Sequence, residues 1–215
     1  MFLLVAYVLM TWGAPTRAEP LDGGAAVLEQ RIGSGNPVAG KRKAQAENCL
    51  ECHGENGVST TLAVPKLAGQ YADYLLRQIS DFQTGARKHP IMNAMAEGLA
   101  ANDVADIAAY FAGNETMRGE RRGESQPAVD IYTRGDMARN IPPCKSCHGE
   151  TGKGKFAPTG CYPVIGGQHR NYLREQLFNW RAGVRSNSPG GVMNVIAASL
   201  SDAEIEQLSD YLSGL

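Results

Sequence analysis

The chain has 215 residues, of which 43% are apolar, 7% aromatic and 20% charged, with 25 glycines and a net charge of −1. That length suits two small domains, and that apolar content excludes disorder over the whole chain. The balanced charge gives no dominant basic face, so nucleic acid is not expected as a partner.

Phe2 to Met10 is an unbroken apolar run, and Thr16-Arg17-Ala18 places small residues where a signal peptidase cuts. Residues 1–18 therefore read as an export signal, although no Lys or Arg precedes the apolar run. A membrane anchor needs about 20 apolar residues, roughly twice this run; an uncleaved tether is the competing reading. Two domains are expected after the signal, at residues 19–117 and 118–215, with a polar, glycine-containing linker at about 113–127.

In the first domain a helix is expected from Val38 to Cys49, leading into Cys49-Leu50-Glu51-Cys52-His53-Gly54. A glycine-rich loop ends at Gly69-Gln70, and Leu75, Leu76, Ile79 and Phe82 then recur at helical spacing until Gly85 stops the helix. A loop bearing Met92 leads to a last helix, with Asn102 as its cap and Val104, Ile107, Ala108 and Phe111 as its apolar stripe. The second domain repeats the plan: a helix from Ile131 to Ala138, Cys144-Lys145-Ser146-Cys147-His148-Gly149, a loop to Gly167-Gln168, and a helix with Leu173, Leu177 and Trp180 that ends at Gly183. Met193 and a closing helix with Ser201 as cap and Ile205, Leu208 and Leu212 as stripe complete it. Paired residues include Pro65 and Pro163, Gln70 and Gln168, Tyr74 and Tyr172, Gln78 and Gln176, and Tyr110 and Tyr211, so one module is duplicated with a few extra residues in the second copy. No strand pattern competes, and the fold class is all-α.

Cysteines in an exported chain ordinarily suggest disulfides, but this spacing is the attachment signature of c-type haem. Two thiols three positions apart reach two vinyl groups of one porphyrin, and the next histidine lies under the iron. A thioredoxin-like site would need strand-helix alternation around its Cys pair, and a zinc site would need its second pair close by rather than 95 residues away. Two such motifs in matched surroundings point to two covalently bound haem c groups, held by Cys49, Cys52 and His53 and by Cys144, Cys147 and His148. A large apolar cofactor also compensates for the thin core of a small domain with few aromatics.

Met92 and Met193 are the expected sixth ligands, since a thioether opposite histidine suits a cytochrome c iron and the two are equivalent through the repeat. Met95 and His89 are rivals in the first copy, but the second copy has Ile196 and no histidine at those places. His89 and His169 read as surface or supporting residues. The metal ligands are thus His53, Met92, His148 and Met193, with no catalytic residue. Each ligating histidine needs an acceptor for its other nitrogen; the carbonyls of Pro65 and Pro163 are the candidates, unless these prolines only shape their loops. Cys161 has no counterpart in the first copy, where Ala63 stands, and three readings compete: a buried inert thiol, an intermolecular disulfide, or an iron ligand in place of Met193.

From Val38 to Leu215 the chain resembles class I cytochromes c in tandem, as in the di-haem cytochrome c4 family. The residues that carry the resemblance are the two C-x-x-C-H-G motifs, the loops Pro65-Lys66-Leu67-Ala68-Gly69-Gln70 and Pro163-Val164-Ile165-Gly166-Gly167-Gln168-His169, the two methionines and the closing helices 103–111 and 203–212. The resemblance implies two cytochrome c folds with haem edges facing across their interface, and a periplasmic electron carrier rather than an enzyme. Expected partners are redox proteins: an oxidase, a dehydrogenase or a cytochrome bc-type complex, with peripheral association with membrane complexes. The alternative is the electron-transfer subunit of a sulfide or thiosulfate dehydrogenase. Residues 19–117 carry 8 basic and 12 acidic side chains and residues 118–215 carry 12 and 10, a dipolar pattern similar to that family's.

Overall fold

The computed structural model describes residues 22–119, 125–157 and 160–215; the expected export signal and part of the expected linker lie outside them. Helix α1 (Asp22–Ile32), not expected from the sequence, lies before the first of the two repeated units. Arg31 from its last turn sits over the Tyr71 ring, 5.0 Å from the centroid, donates to the Gly69 carbonyl at 2.9 Å and also bonds the Thr116 hydroxyl.

Helix α2 (Pro37–Ala46) starts where Asn36 accepts from the amides of Val38 and Ala39 and Pro37 supplies a preset φ. It ends short of the expected Cys49, because Asn48 adopts a left-handed φ of 57° and separates it from α3 (Cys49–His53). The amphipathic α4 (Ala72–Gln83) follows, then α5 (Pro90–Ala96) and α6 (Ala101–Ala112). Gly85, with φ of 74°, lets the chain leave α4 by a left-handed turn. Asn102 is not the cap of α6: the helix begins one residue before it, behind Ala100, whose side chain offers no acceptor. Helices α2 and α6 cross in close contact, since a Cβ on Gly40 would lie 1.9 Å from the Asp106 carbonyl oxygen. Ala44, Ala72, Leu75, Ile107, Ala108 and Phe111 form the core between α2, α4 and α6.

The second unit is built from α7 (Gln126–Arg134), α8 (Cys144–His148), α9 (Arg170–Arg181), α10 (Val192–Ala198) and α11 (Asp202–Gly214). Helix α7 starts five residues before the expected Ile131, and Pro127, expected in the linker, stands in its first turn, where proline's missing amide costs nothing. Ser201 caps α11 in a capping box with Glu204. Ala128, Ile131, Tyr132, Leu173, Ile205 and Leu208 form the second core.

One correction concerns strands. Lys155–Ala157 (β1) and Gly160–Tyr162 (β2) pair antiparallel in the second unit. The offset between the copies rises from 95 residues at the C-x-x-C-H motifs to 98 at the proline loops, so three extra residues fall in this segment. Strands of three residues are too short to show the alternation that marks a strand in sequence. The hairpin leans on the first unit: Phe156 meets Tyr71 edge to face at 4.6 Å, and Tyr71, Met117, Cys161 and Val164 form one buried apolar seam.

Candidate functional site

Each C-x-x-C-H motif occupies one short helix, which puts its two thiols and its histidine on a single turn of backbone. All five cysteines are unpaired. Burial pushes the Cys49 thiol up and the Cys144 thiol up to about 11, so neither is a ready thiolate. Among the described residues no group of three or more His, Cys, Asp or Glu side chains comes together around a metal position. Among these residues each motif stands by itself.

The histidines are oriented identically. His53 Nδ1 donates to the Pro65 carbonyl at 2.9 Å, and His148 Nδ1 donates to the Pro163 carbonyl at 3.0 Å. A carbonyl only accepts, so Nδ1 carries the proton and Nε2 keeps its lone pair for a metal. Burial holds both imidazoles below their ordinary range, which keeps them neutral, the form that ligates.

Met92 and Met193 sit near the starts of α5 and α10, both half-buried. Their neighbours Asn93 and Asn194 fix these segments: Asn93 Nδ2 donates to the carbonyls of Phe82 (2.6 Å) and Arg87 (3.0 Å), and Asn194 Nδ2 to those of Trp180 (2.7 Å) and Arg185 (2.8 Å). The sequence reading missed this pair, although Met-Asn recurs in both copies and signals it. Met95 is exposed, and His89 caps α5 by accepting from the Met92 amide at 3.3 Å. His169 bonds Ser59 of the other unit through Nε2.

Between the units lies a second feature that the sequence did not reveal. Arg87 and Arg185 are 9% and 6% exposed, and each crosses to the other unit. Arg87 donates to Gln78, and to Tyr172 and Gln176 across the interface. Arg185 donates to Gln176 and Asn187, and to Tyr74 and Gln78 across it. The two cations lie against the rings of Phe82 and Trp180. Burial favours a neutral phenol at Tyr172, yet the two guanidiniums together hold its pKa below the ordinary value. Among the described residues neither arginine bonds a carboxylate, and Asp81, tied to Asn187 at 2.5 Å, is an acid brought near Arg87. Buried cations require anionic company. This excess of positive charge fits a cofactor that brings its own carboxylates, as haem does.

Cys161 is 8% exposed, and burial pushes its thiol up to about 11. It belongs to the apolar seam between the units, the environment of an inert thiol.

The sequence profile of the cytochrome c family matches residues 37–114 and again 142–215. A cytochrome c4 of Thiocapsa roseopersicina is 37% identical over 182 residues, which span 84% of this chain and 93% of that relative. A thiosulfate dehydrogenase electron acceptor of Stutzerimonas stutzeri is 34% identical over 206 residues, spanning 91% and 94%. The crystal structure of reduced recombinant cytochrome c4 from Pseudomonas stutzeri superposes with a TM-score of 0.78 at 35% identity, covering 85% of this chain and all (100%) of that one. With two matched cytochrome c units and likeness to cytochromes c4 over most of its length, the chain belongs to the cytochrome c family, within its cytochrome c4 group.

Proposed function

We propose that the chain is an exported, periplasmic electron carrier holding two haem c groups, one in each unit, and that it passes electrons between a dehydrogenase or quinol-oxidising complex and a terminal oxidase or reductase. The observation that carries this reading is the duplicated C-x-x-C-H helix whose histidine is pinned through Nδ1 to a proline carbonyl. Cys49 and Cys52, and Cys144 and Cys147, would hold the two haems through thioether bonds, and His53, Met92, His148 and Met193 would supply the iron ligands. Haem supplies a one-electron couple between ferric and ferrous iron. The protein would choose the ligands, hold each histidine against its proline loop and keep small molecules from the metal. The acidic N-terminal and basic C-terminal halves orient the carrier on charged partners. Among the described residues no helix is long and apolar enough to cross a membrane.

A second reading is favoured by the relative from Stutzerimonas stutzeri, which is named a thiosulfate dehydrogenase electron acceptor. On that reading the donor is a thiosulfate dehydrogenase. Stopped-flow mixing of oxidised protein with thiosulfate and that enzyme tests it: reduction of both haems within the enzyme's turnover time supports this donor, and no reduction rejects it. The carrier reading itself is tested with carbon monoxide and cyanide. Six-coordinate irons leave the spectra unchanged on mixing, whereas rapid binding at either iron means an open site and a different function.

A further inference from the structure

The interface carries a pair of crossed hydrogen-bond chains that end on the two histidines. Gln70 of the first unit reaches Val164 of the second: its Oε1 accepts from the Val164 amide at 2.9 Å, and its Nε2 donates to the Val164 carbonyl at 2.9 Å. Gln168 of the second unit does the same to Lys66 of the first, at 2.8 Å and 2.9 Å. The amide of Val164 belongs to the same peptide group as the carbonyl of Pro163, and the amide of Lys66 to the same group as that of Pro65. Those are the two carbonyls on which His148 and His53 rest. Each chain therefore runs from a glutamine oxygen, through one planar peptide, to the Nδ1–H of the opposite unit's histidine.

We propose that Gln70 and Gln168 are crossed positioning residues, each tuning the donor strength of the histidine in the other unit. An acceptor on a peptide N–H polarises that peptide and makes its carbonyl oxygen a stronger acceptor. The stronger carbonyl draws the histidine's Nδ1 proton and raises the basicity of Nε2. A more basic imidazole favours ferric over ferrous iron and lowers the potential. The glutamines lie in the buried seam, both 4% exposed, where water does not replace them. Each oxygen also accepts the next residue's amide, Tyr71 at 3.1 Å and His169 at 3.0 Å, which fixes it in place. The two units thus set each other's redox behaviour through neutral groups. This inference rests on the haem reading above.

The test uses exported holoprotein with Gln70→Leu and, separately, Gln168→Leu, neither of which changes charge. The wild type is first shown to retain two haems per chain; failure there defeats the carrier reading, not the relay. Sequence-specific NMR of the ferrous protein then follows the two Nδ1–H resonances, and a redox titration follows the two couples. Gln70→Leu is expected to move the His148 proton upfield, leave His53 in place and shift one couple upward about threefold in its equilibrium constant, roughly 30 mV for one electron. Gln168→Leu is expected to move the His53 proton and the other couple. If either leucine variant does not fold, Gln70→Glu or Gln168→Glu keeps the acceptor and strengthens it, so the opposite histidine's proton moves downfield. Shifts on the same unit's histidine, equal shifts on both, or none in a protein with two haems overturn the proposal.

Discussion

Gly40→Ala probes the helix crossing on which the first unit is built. The new Cβ would lie 1.9 Å from the Asp106 carbonyl oxygen, 2.5 Å from its carbon and 2.9 Å from the Tyr110 Cβ. Two of these three atoms are backbone of α6, so no side-chain rotation relieves the overlap. Restoring ordinary contact drives α2 outward by about 1.5 Å, beyond the 0.5–1 Å gap that already forfeits a quarter to a half of each dispersion contact. Overpacking of this kind costs about 1–3 kcal/mol, and alanine's better helix propensity returns about 1 kcal/mol. With a backbone clash the cost lies at or above the top of that range, leaving a net loss of about 2 kcal/mol. For a domain of this size that lowers Tm by roughly 10 °C. Scanning calorimetry of the holoprotein, with Soret absorbance followed in parallel, reads it. The first unit's transition should fall while the second stays. Val38→Ala, at a position 69% exposed on the same helix, should change little. A Gly40→Ala transition within about 2 °C of wild type would refute the packing argument.

Met92→Ala and Met193→Ala should each abolish the sulfur-to-iron absorption of one haem and lower that haem's potential, read by near-infrared absorption and redox titration; unchanged spectra mean that the sulfur is not a ligand. Cys161→Ser should leave the spectra intact and lower stability by no more than about 1 kcal/mol, because the Tyr74 backbone that bonds the thiol is there to partner the hydroxyl; loss of an iron ligand band would reverse the assignment of Cys161 as inert. Glu204, paired with Arg139 and the Ser201 cap, has its carboxyl pKa lowered to about 2 from 4.5. Its stabilisation is therefore fully present above pH 4.5 and lost as pH falls toward 2. Solvent screening of this partly exposed pair limits it to about 1 kcal/mol. Glu204→Gln should remove that increment at neutral pH and flatten the acid limb of the wild-type stability curve, measured by urea unfolding against pH; an unchanged limb would show that the pair contributes nothing.

Elements marked by local chemistry were legible in the sequence. The duplicated C-x-x-C-H motifs, the helical stripes of α4, α6 and α11, the stops at Gly85 and Gly183 and the Ser201 cap all depend on residues near in sequence. The Pro65 and Pro163 acceptors were also readable, because proline offers an acceptor without a competing donor. What escaped was set by contacts distant along the chain. The crossing of Gln70 and Gln168 joins residues 94 and 102 positions from their partners, and no local pattern says which carbonyl a glutamine will meet. No residue near Arg87 or Arg185 in sequence marks them, since their burial arises where the two units meet. The hairpin at Lys155–Tyr162 was too short to leave a period, and the break at Asn48 required a left-handed residue that the sequence permits without demanding.

The most direct measurement is the intact mass of exported, denatured chain, taken together with its visible spectrum after acid–acetone extraction. If the four thiols of the paired motifs are thioether-bonded, the mass exceeds that of the polypeptide by two haems and the colour stays with the protein. A mass equal to the bare polypeptide, or pigment that leaves with the solvent, would contradict the account at its base.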